Sequence, residues 1–226
     1  MSHYSDEFET ESLRVRRFAI GAFAVNTYIV MNKESHDAVI IDPGGDDAEV
    51  IEAVKSMGAV PKRILFTHCH IDHVTGAMAM KKAFPDADVA YHELEQIVVD
   101  SLQGQSKMFG VPEVAMPKCD KNLRVEMEFM AGMLQFVTLL TPGHTPGSVV
   151  FYMPLDKLAF TGDLLFKGSV GRTDFEGGSG KDLVQSLQEV VRVIPDDVKL
   201  LPGHGKFTTM GYEKANNFYL RIDRYR

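Results

Sequence analysis

Short apolar runs separated by turn signals organise the chain. Residues 13–18 alternate apolar and basic side chains, the period of a half-buried strand. Residues 23–31 and 37–42 read as two further strands, the latter ending at Asp42-Pro43-Gly44-Gly45. Asp46, with Glu49 three residues on, predicts a capped helix whose buried stripe is Val50, Ile51, Val54 and Met57 and whose end is Gly58. Residues 62–67 form the next strand, residues 75–84 a helix stopped by Pro85, and residues 87–91 a short strand. Residues 92–102 read as helical, with His92 at the start. Residues 103–118, broken by Gly104, Gly110, Pro112 and Pro117, read as a loop or lid. Strands follow at 123–128, 134–140, 149–153 and 158–160. A glycine-rich stretch over 168–180 then leads to an amphipathic helix at 181–194, a last strand at 198–201 and a short helix from about 211. Strand-rich halves, each followed by helices, predict an α/β chain with two sheets sandwiched between helices. Residues 1–11 are polar and acidic and read as a flexible tail, leaving a single domain over 12–226.

Several of these strands end on the same chemistry. Thr67-His68-Cys69-His70-Ile71-Asp72-His73 packs three histidines and an aspartate into six residues directly after an apolar strand. Loops at strand ends are where α/β folds place function. His68 and His70 are two apart, so extended backbone turns them to one side. Asp72 and His73 lie past the bend and can face a second point. Imidazole and carboxylate are ligands for zinc, iron and manganese. Of eight histidines, five sit in tight loops after strands: these three, His144 in Pro142-Gly143-His144, and His204 in Pro202-Gly203-His204-Gly205. Asp163, in Thr161-Gly162-Asp163, shares that placement. His3 and His36 read as solvated surface residues. Asp42, beside Pro-Gly, suits a turn and also a support role with Thr67, fixing ligand orientation by hydrogen bonds.

Composition narrows the partners. The net charge of −7 argues against nucleic-acid and anionic-membrane surfaces. No apolar run approaches the ~20 residues of a membrane span, and the start lacks an apolar signal core. Cys69 and Cys119 make no disulfide framework, and strand alternation points Cys69 away from its neighbouring histidines. A cytoplasmic location is expected.

The four loop motifs, in this order and spacing, resemble the signature of the metallo-β-lactamase-fold hydrolases along nearly the whole chain. The resemblance implies a four-layer αβ/βα sandwich. It implies that His68, His70 and His144 hold one metal ion, that Asp72, His73 and His204 hold the other, and that Asp163 bridges both. It does not imply antibiotic hydrolysis. A narrower set is similar to the YcbL-like type II glyoxalases, stand-alone members of the hydroxyacylglutathione hydrolase group. It comprises residues 166–175, residues 106–110, and Pro202-Gly203-His204-Gly205 with residues 209–213. The larger members carry an extra helical C-terminal domain that helps to hold glutathione. This chain reaches Arg226 soon after its last motif and is expected to lack it.

The implied activity is hydrolysis of a small-molecule thioester, S-lactoylglutathione or a related hydroxyacyl thioester. Two divalent ions, zinc first and iron or manganese as alternatives, would lower the pKa of water toward ~7, and the resulting hydroxide would attack the carbonyl. Asp72 and Asp163 are the catalytic carboxylates of this reading, with Asp72 helping to orient the hydroxide. Arg172 is the first candidate for the substrate carboxylate, because its guanidinium fork suits one. Its competing reading is a pair with Asp174. Lys167 is a second, weaker candidate. Met108, Phe109 and Tyr212 are read first as core packing and second as pocket walls. Two rivals stand beside this reading. One is a persulfide dioxygenase-like enzyme with a single iron on His68, His144 and Asp163. The other is a non-catalytic metal-binding module, which the open, cysteine-free ligand set disfavours.

Overall fold

The computed structural model describes residues 4–45, 47–123 and 127–221. The first sheet has seven strands in sequential order: β1 (Tyr4–Glu9), β2 (Leu13–Ile20), β3 (Val25–Asn32), β4 (Asp37–Ile41), β5 (Val60–Leu65), β6 (Asp88–Tyr91) and β7 (Lys121–Asn122). β1 to β4 are antiparallel and β4 to β7 are parallel. The parallel half needs crossovers. These are supplied by α1 (Asp47–Ser56), by α2 (Ile71–Val74) with α3 (Ala77–Ala83), and by α4 (Gln96–Asp100) with α5 (Leu102–Phe109). The second sheet contains β8 (Glu128–Ala131), β9 (Leu134–Leu140), β10 (Val149–Met153) and β11 (Leu158–Gly162). A hairpin of β12 (Leu165–Phe166) and β13 (Ser169–Val170) and the helix α6 (Gly180–Val193) then lead to β14 (Lys199–Pro202), β15 (Thr208–Thr209) and α7 (Met210–Asn216). The six strands of the second sheet run in the order β15-β14-β11-β10-β9-β8.

Alternation along the central strands sorts their side chains into three apolar layers. In β3, Ile29 faces the layer holding Val50, Val54 and Met80, whereas Tyr28 and Val30 face the layer between the sheets. In β10, Phe151 points into the inter-sheet layer, while Val150 and Tyr152 meet Leu183, Leu187 and Val190 of α6. Helices, sheet, sheet and helices therefore stack as an αβ/βα sandwich. Because both faces of these strands are covered, they read as continuous apolar runs. Among the described residues, no helix is long and apolar enough to cross a membrane.

Three sequence expectations are corrected. Residues 4–9 are not a flexible tail. They form β1, paired along its length with β2, with Asp6 on Arg17, Glu7 on Arg14 and the Phe8 ring edge-on to Phe207. An edge strand whose side chains mostly face water carries charge instead of apolar alternation, which gives it the composition of a tail. The loop expected over 103–118 is helical in its first part. α5 continues across Gly104 because Leu102 and Ser106 are buried beneath it, and it ends at the left-handed Gly110. The strand expected at 123–128 is displaced. Leu123 lies in a turn, residues 124–126 lie outside the described residues, and β8 starts at Glu128 so that Phe129 and Ala131 enter the inter-sheet core. The expected cap Asp46 also lies outside the described residues.

Candidate metal centre

All seven predicted ligand side chains come together at the ends of β5, β11 and β14 and in the turn after β9. His68, His70 and His144 place three nitrogens within 4.8 Å of one another, and Asp72, His73 and His204 place an oxygen and two nitrogens within the same limit. His68, His73 and Asp163 form a third such group, so the first two are contiguous. Asp163 lies between them: Oδ2 is 3.5 Å from His144 Nε2 and 3.6 Å from His204 Nε2, and Oδ1 is 3.4 Å from His73 Nε2. His204 Nε2 is 3.1 Å from Asp72 Oδ2.

The backbone makes this possible. After β5 the chain stays extended at His70 and then takes the single helical turn α2, which separates Asp72 and His73 from His68 and His70. Gly143 adopts φ 141° with its α-carbon against the Leu183 backbone, a position closed to other residues. Gly203 runs so close to the cluster that a β-carbon there would overlap Asp163 Oδ1 and the His73 ring. The loops are also tied to each other. Val149 N–H donates to Thr67 O at 2.8 Å, Gly203 N–H to Gly162 O at 2.8 Å, and Asn26 N–H to Gly203 O at 2.7 Å.

His68, His73 and His144 each have the outer nitrogen engaged, which sets the tautomer. Asp42 Oδ2 lies 3.0 Å from His73 Nδ1, so that nitrogen carries a proton and Nε2 faces the cluster. Asp42 also accepts from Thr67 N–H at 2.8 Å and Thr67 Oγ1–H at 2.6 Å. With its proton committed there, Thr67 Oγ1 can accept from His68 Nδ1 at 3.2 Å. His144 Nδ1 donates to Arg172 O at 2.7 Å. The support roles read for Asp42 and Thr67 are thus matched by direct contacts. Asp42 holds φ 49°, a strained conformation that Asp tolerates better than most residues.

What remains inside fits a metal. His68 Nε2, His73 Nε2 and Asp163 Oδ1 are buried without a hydrogen-bond partner, and His70 Nδ1 points at His144 Nε2 across 2.9 Å. Orphaned buried acceptors facing one another are costly unless a cation lies between them. Burial, reinforced by the neighbouring His73, His144 and His70, pushes the His68 imidazole well below its ordinary range. Burial beside His144 pulls His70 down to about 3. Burial opposes charge on His73 too, but Asp72, Asp163 and Asp42 outweigh it and raise that group. Burial alone would raise Asp163; the surrounding histidines hold it well below the carboxylate range instead. The all-imidazole first set and the second set, which contains Asp72, are therefore electrostatically different.

Glu95 is a functional residue that the sequence reading missed. It is fully buried, with Oε2 accepting Cys69 N–H at 2.7 Å and Oε1 accepting Gly147 N–H at 2.8 Å. One carboxylate thereby joins the loop of His68 and His70 to the loop of His144. Burial raises its pKa, and hydrogen bonds from Thr145 and the two amides offset this only in part. No periodicity marks a glutamate whose partners are amides 26 and 52 residues away.

The cluster forms the floor of a cleft of roughly 650 Å³. Arg172 lines it, as read, but its side chain pairs with Asp174 at 2.5 Å through both Nε and Nη2 and lies over the Phe175 ring. Lys167 is exposed and lies over Tyr212; neither is among the lining residues. Met108 and Phe109 do line the cleft and are exposed rather than packed in the core, which corrects the first reading of both. Tyr212 is likewise half-exposed and not core.

The family model described as the metallo-beta-lactamase superfamily matches residues 20–204, the span from the end of β2 to the last histidine. The chain belongs to the metallo-β-lactamase superfamily. Among its superfamily relatives is the Haemophilus influenzae hydroxyacylglutathione hydrolase GloC, 34% identical over 209 residues that cover 92% of this chain and 98% of the relative. Among solved superfamily structures, the crystal structure of the BLEG-1 B3 metallo-beta-lactamase superposes with a TM-score of 0.85 at 33% identity, covering 92% of this chain and 99% of that one. The structure of TTHA1623 in a di-iron-bound form gives a TM-score of 0.81 at 34% identity, covering 89% and 98%. Membership, the ligand cluster and the orphaned acceptors together make this superfamily member a metal-dependent hydrolase with the capacity for two ions.

Proposed function

We propose that the protein hydrolyses a small-molecule thioester, S-lactoylglutathione or a related hydroxyacyl thioester, with two divalent ions, zinc first and iron or manganese as alternatives. His68, His70 and His144 would hold one ion, Asp72, His73 and His204 the other, and Asp163 both. The observation that carries this reading is Asp163: one carboxylate faces His144 from the first set and His73 and His204 from the second. Kinship with a hydroxyacylglutathione hydrolase at 34% identity supports the thioester class. When bound, such ions polarise a carbonyl and bring the ionisation of water near neutral pH.

The chain's own residues do the rest. Asp72 contacts His204 and lines the cleft floor, where it can orient an incoming water. Asp42 and Thr67 hold the imidazoles in their ligating tautomers. A substrate seated on the apolar cleft walls would exclude bulk water, which strengthens every charge interaction on the floor. Arg172 can exchange its exposed partner Asp174 for a substrate carboxylate. A thiolate leaves with a pKa of ~8.5, so no proton donor is required for it.

The test is hydrolysis of S-lactoylglutathione by metal-loaded wild type beside Asp163→Asn. Loss of activity in the variant is expected. Equal rates in the two proteins remove the reading, as does a purified protein with one iron per chain that consumes oxygen on a persulfide.

A further inference from the structure

We infer that the cleft wall formed by α4 and α5 is a subsite for an apolar acyl chain, so that the preferred thioesters carry an aliphatic acyl group. This rests on the thioester reading above and revises its acyl group, placing aliphatic chains ahead of the hydroxyacyl group named there.

Ile97, Ser101, Gln105 and Met108 line the cleft at helical spacing, one stripe along consecutive helices. Ile97 is 45% exposed, Met108 73%, Phe109 38% and, from the β2–β3 turn, Phe23 39%. Single exposed apolar residues are ordinary, but four large ones around one concave mouth mark a binding surface. The Phe109 ring meets Phe23 edge-on at 5.1 Å, which ties the helix to the β2–β3 turn and keeps the wall in place.

The polar side chains on this wall are already committed to the protein. Gln105 Oε1 accepts Ile71 N–H at 3.0 Å, and its Nε2 donates to Ser101 Oγ at 2.8 Å. Ser101 Oγ in turn donates to Val98 O at 2.7 Å. A polar acyl group therefore finds little to replace the water it loses there. Charge agrees: Arg172, from the loop after β13, is the one Lys or Arg lining the cleft among the described residues, and Glu176 of the same loop is acidic. A carboxylate on the thiol carrier belongs with Arg172, which leaves α4 and α5 to the acyl chain.

Gly104 sharpens the assignment. It sits inside a helix, where glycine is a weak choice, and a β-carbon added there meets no atom within 4 Å. It also lines the cleft, so a larger side chain at 104 meets no clash and adds bulk at the cleft wall.

The experiment uses metal-loaded protein and one carrier. S-alkylglutathiones, which cannot be hydrolysed, read binding; S-acylglutathiones read turnover. In wild type, S-hexylglutathione is expected to bind at least tenfold more tightly than S-methylglutathione by calorimetry, with a similar advantage in kcat/KM for hexanoyl over acetyl. In Gly104→Leu the advantage falls below twofold in both series while the thermal midpoint is not lowered. Ile97→Ser, which fills nothing, reduces it at least threefold and covers the case in which Gly104→Leu does not fold. Equal binding of hexyl and methyl ligands by wild type, or a hexyl advantage untouched by both substitutions, overturns the subsite. If the hexyl preference behaves as expected but no acyl thioester is hydrolysed faster than by Asp163→Asn, the thioester reading fails and the subsite stands.

Discussion

The floor and the wall of the cleft are built on opposite principles. On the floor, His68, His73 and His144 are buried, each with its outer nitrogen paired to a group fixed by another element. On the wall, Ile97, Met108 and Phe109 are exposed, and among them Phe109 has a ring partner in Phe23. The floor is over-determined because several donors must share common centres to within a few tenths of an ångström. The wall needs only apolar area and shape. One fold can therefore hold its chemistry constant while the substrate side varies.

The bluntest way to break this comparison is to truncate one residue from each region. His68→Ala should lower turnover by on the order of 10³-fold for every substrate, at or above the usual loss of one transition-state contact. Met108→Ala should change it by less than about tenfold, and unequally between substrates. Uniform losses in both, read as kcat/KM over an acyl series, would erase the distinction.

A smaller effect separates ligands from their supports. Asn tolerates the left-handed backbone at position 42, so Asp42→Asn isolates the chemistry. Its amide would set a donor against either His73 Nδ1–H or Thr67. Metal affinity should fall roughly 10–100-fold with little change in fold. Chelator competition measures it, and an unchanged affinity would show that Asp42 serves only the turn.

Glu95→Gln should follow. An amide can accept from only one of Cys69 N–H and Gly147 N–H and turns a donor toward the other. The cost is about 1–3 kcal/mol for the unpaired buried amide. The pH dependence has a definite sign. Burial raises the Glu95 pKa above its ordinary 4.5. Its contribution is thus most favourable below that value and declines as pH rises through the folded-state value. Wild type should therefore lose stability relative to Glu95→Gln across that window, as read by urea unfolding of the metal-free proteins. A difference that does not vary with pH would mean that the carboxyl does not ionise there.

The smallest effect belongs to the surface. Asp174→Ala removes an exposed partner of Arg172 and should leave the thermal midpoint unmoved. It should lower KM a few-fold for substrates with a carboxylate carrier. An unchanged KM would return Arg172 to the surface.

How much of this could be read in the chain depended on distance. The ligands announced themselves because each group sits just past an apolar run, with the histidine cluster itself as the signal at His68 and an adjoining glycine at His144, Asp163 and His204. The central strands were legible for the same reason: Ile40, Ile41, Ile64 and Leu65 are buried on both faces and show no polar interruption. β1 was not, because what orders it is pairing with β2 and the contact of Phe8 with Phe207. α5 was not, because Gly104 argues locally against a helix that Leu102 and Ser106 hold from below. Glu95 is the extreme case, a side chain whose partners are backbone amides of two remote turns.

The last histidine is anchored far from its neighbours in sequence. Tyr28 and Asn26 of β3 bind the Pro202 carbonyl across 174 and 176 residues, and Val25 pairs with His204 itself. Closing so long a span is entropically slow and cannot precede the meeting of the two sheets. Of the proposed ligands, His68, His70, Asp72 and His73 are neighbours in sequence, whereas His144, Asp163 and His204 reach them only when the two sheets have met. Neither proposed set is complete before that step, so assembly of the centre would report the docking of the two halves.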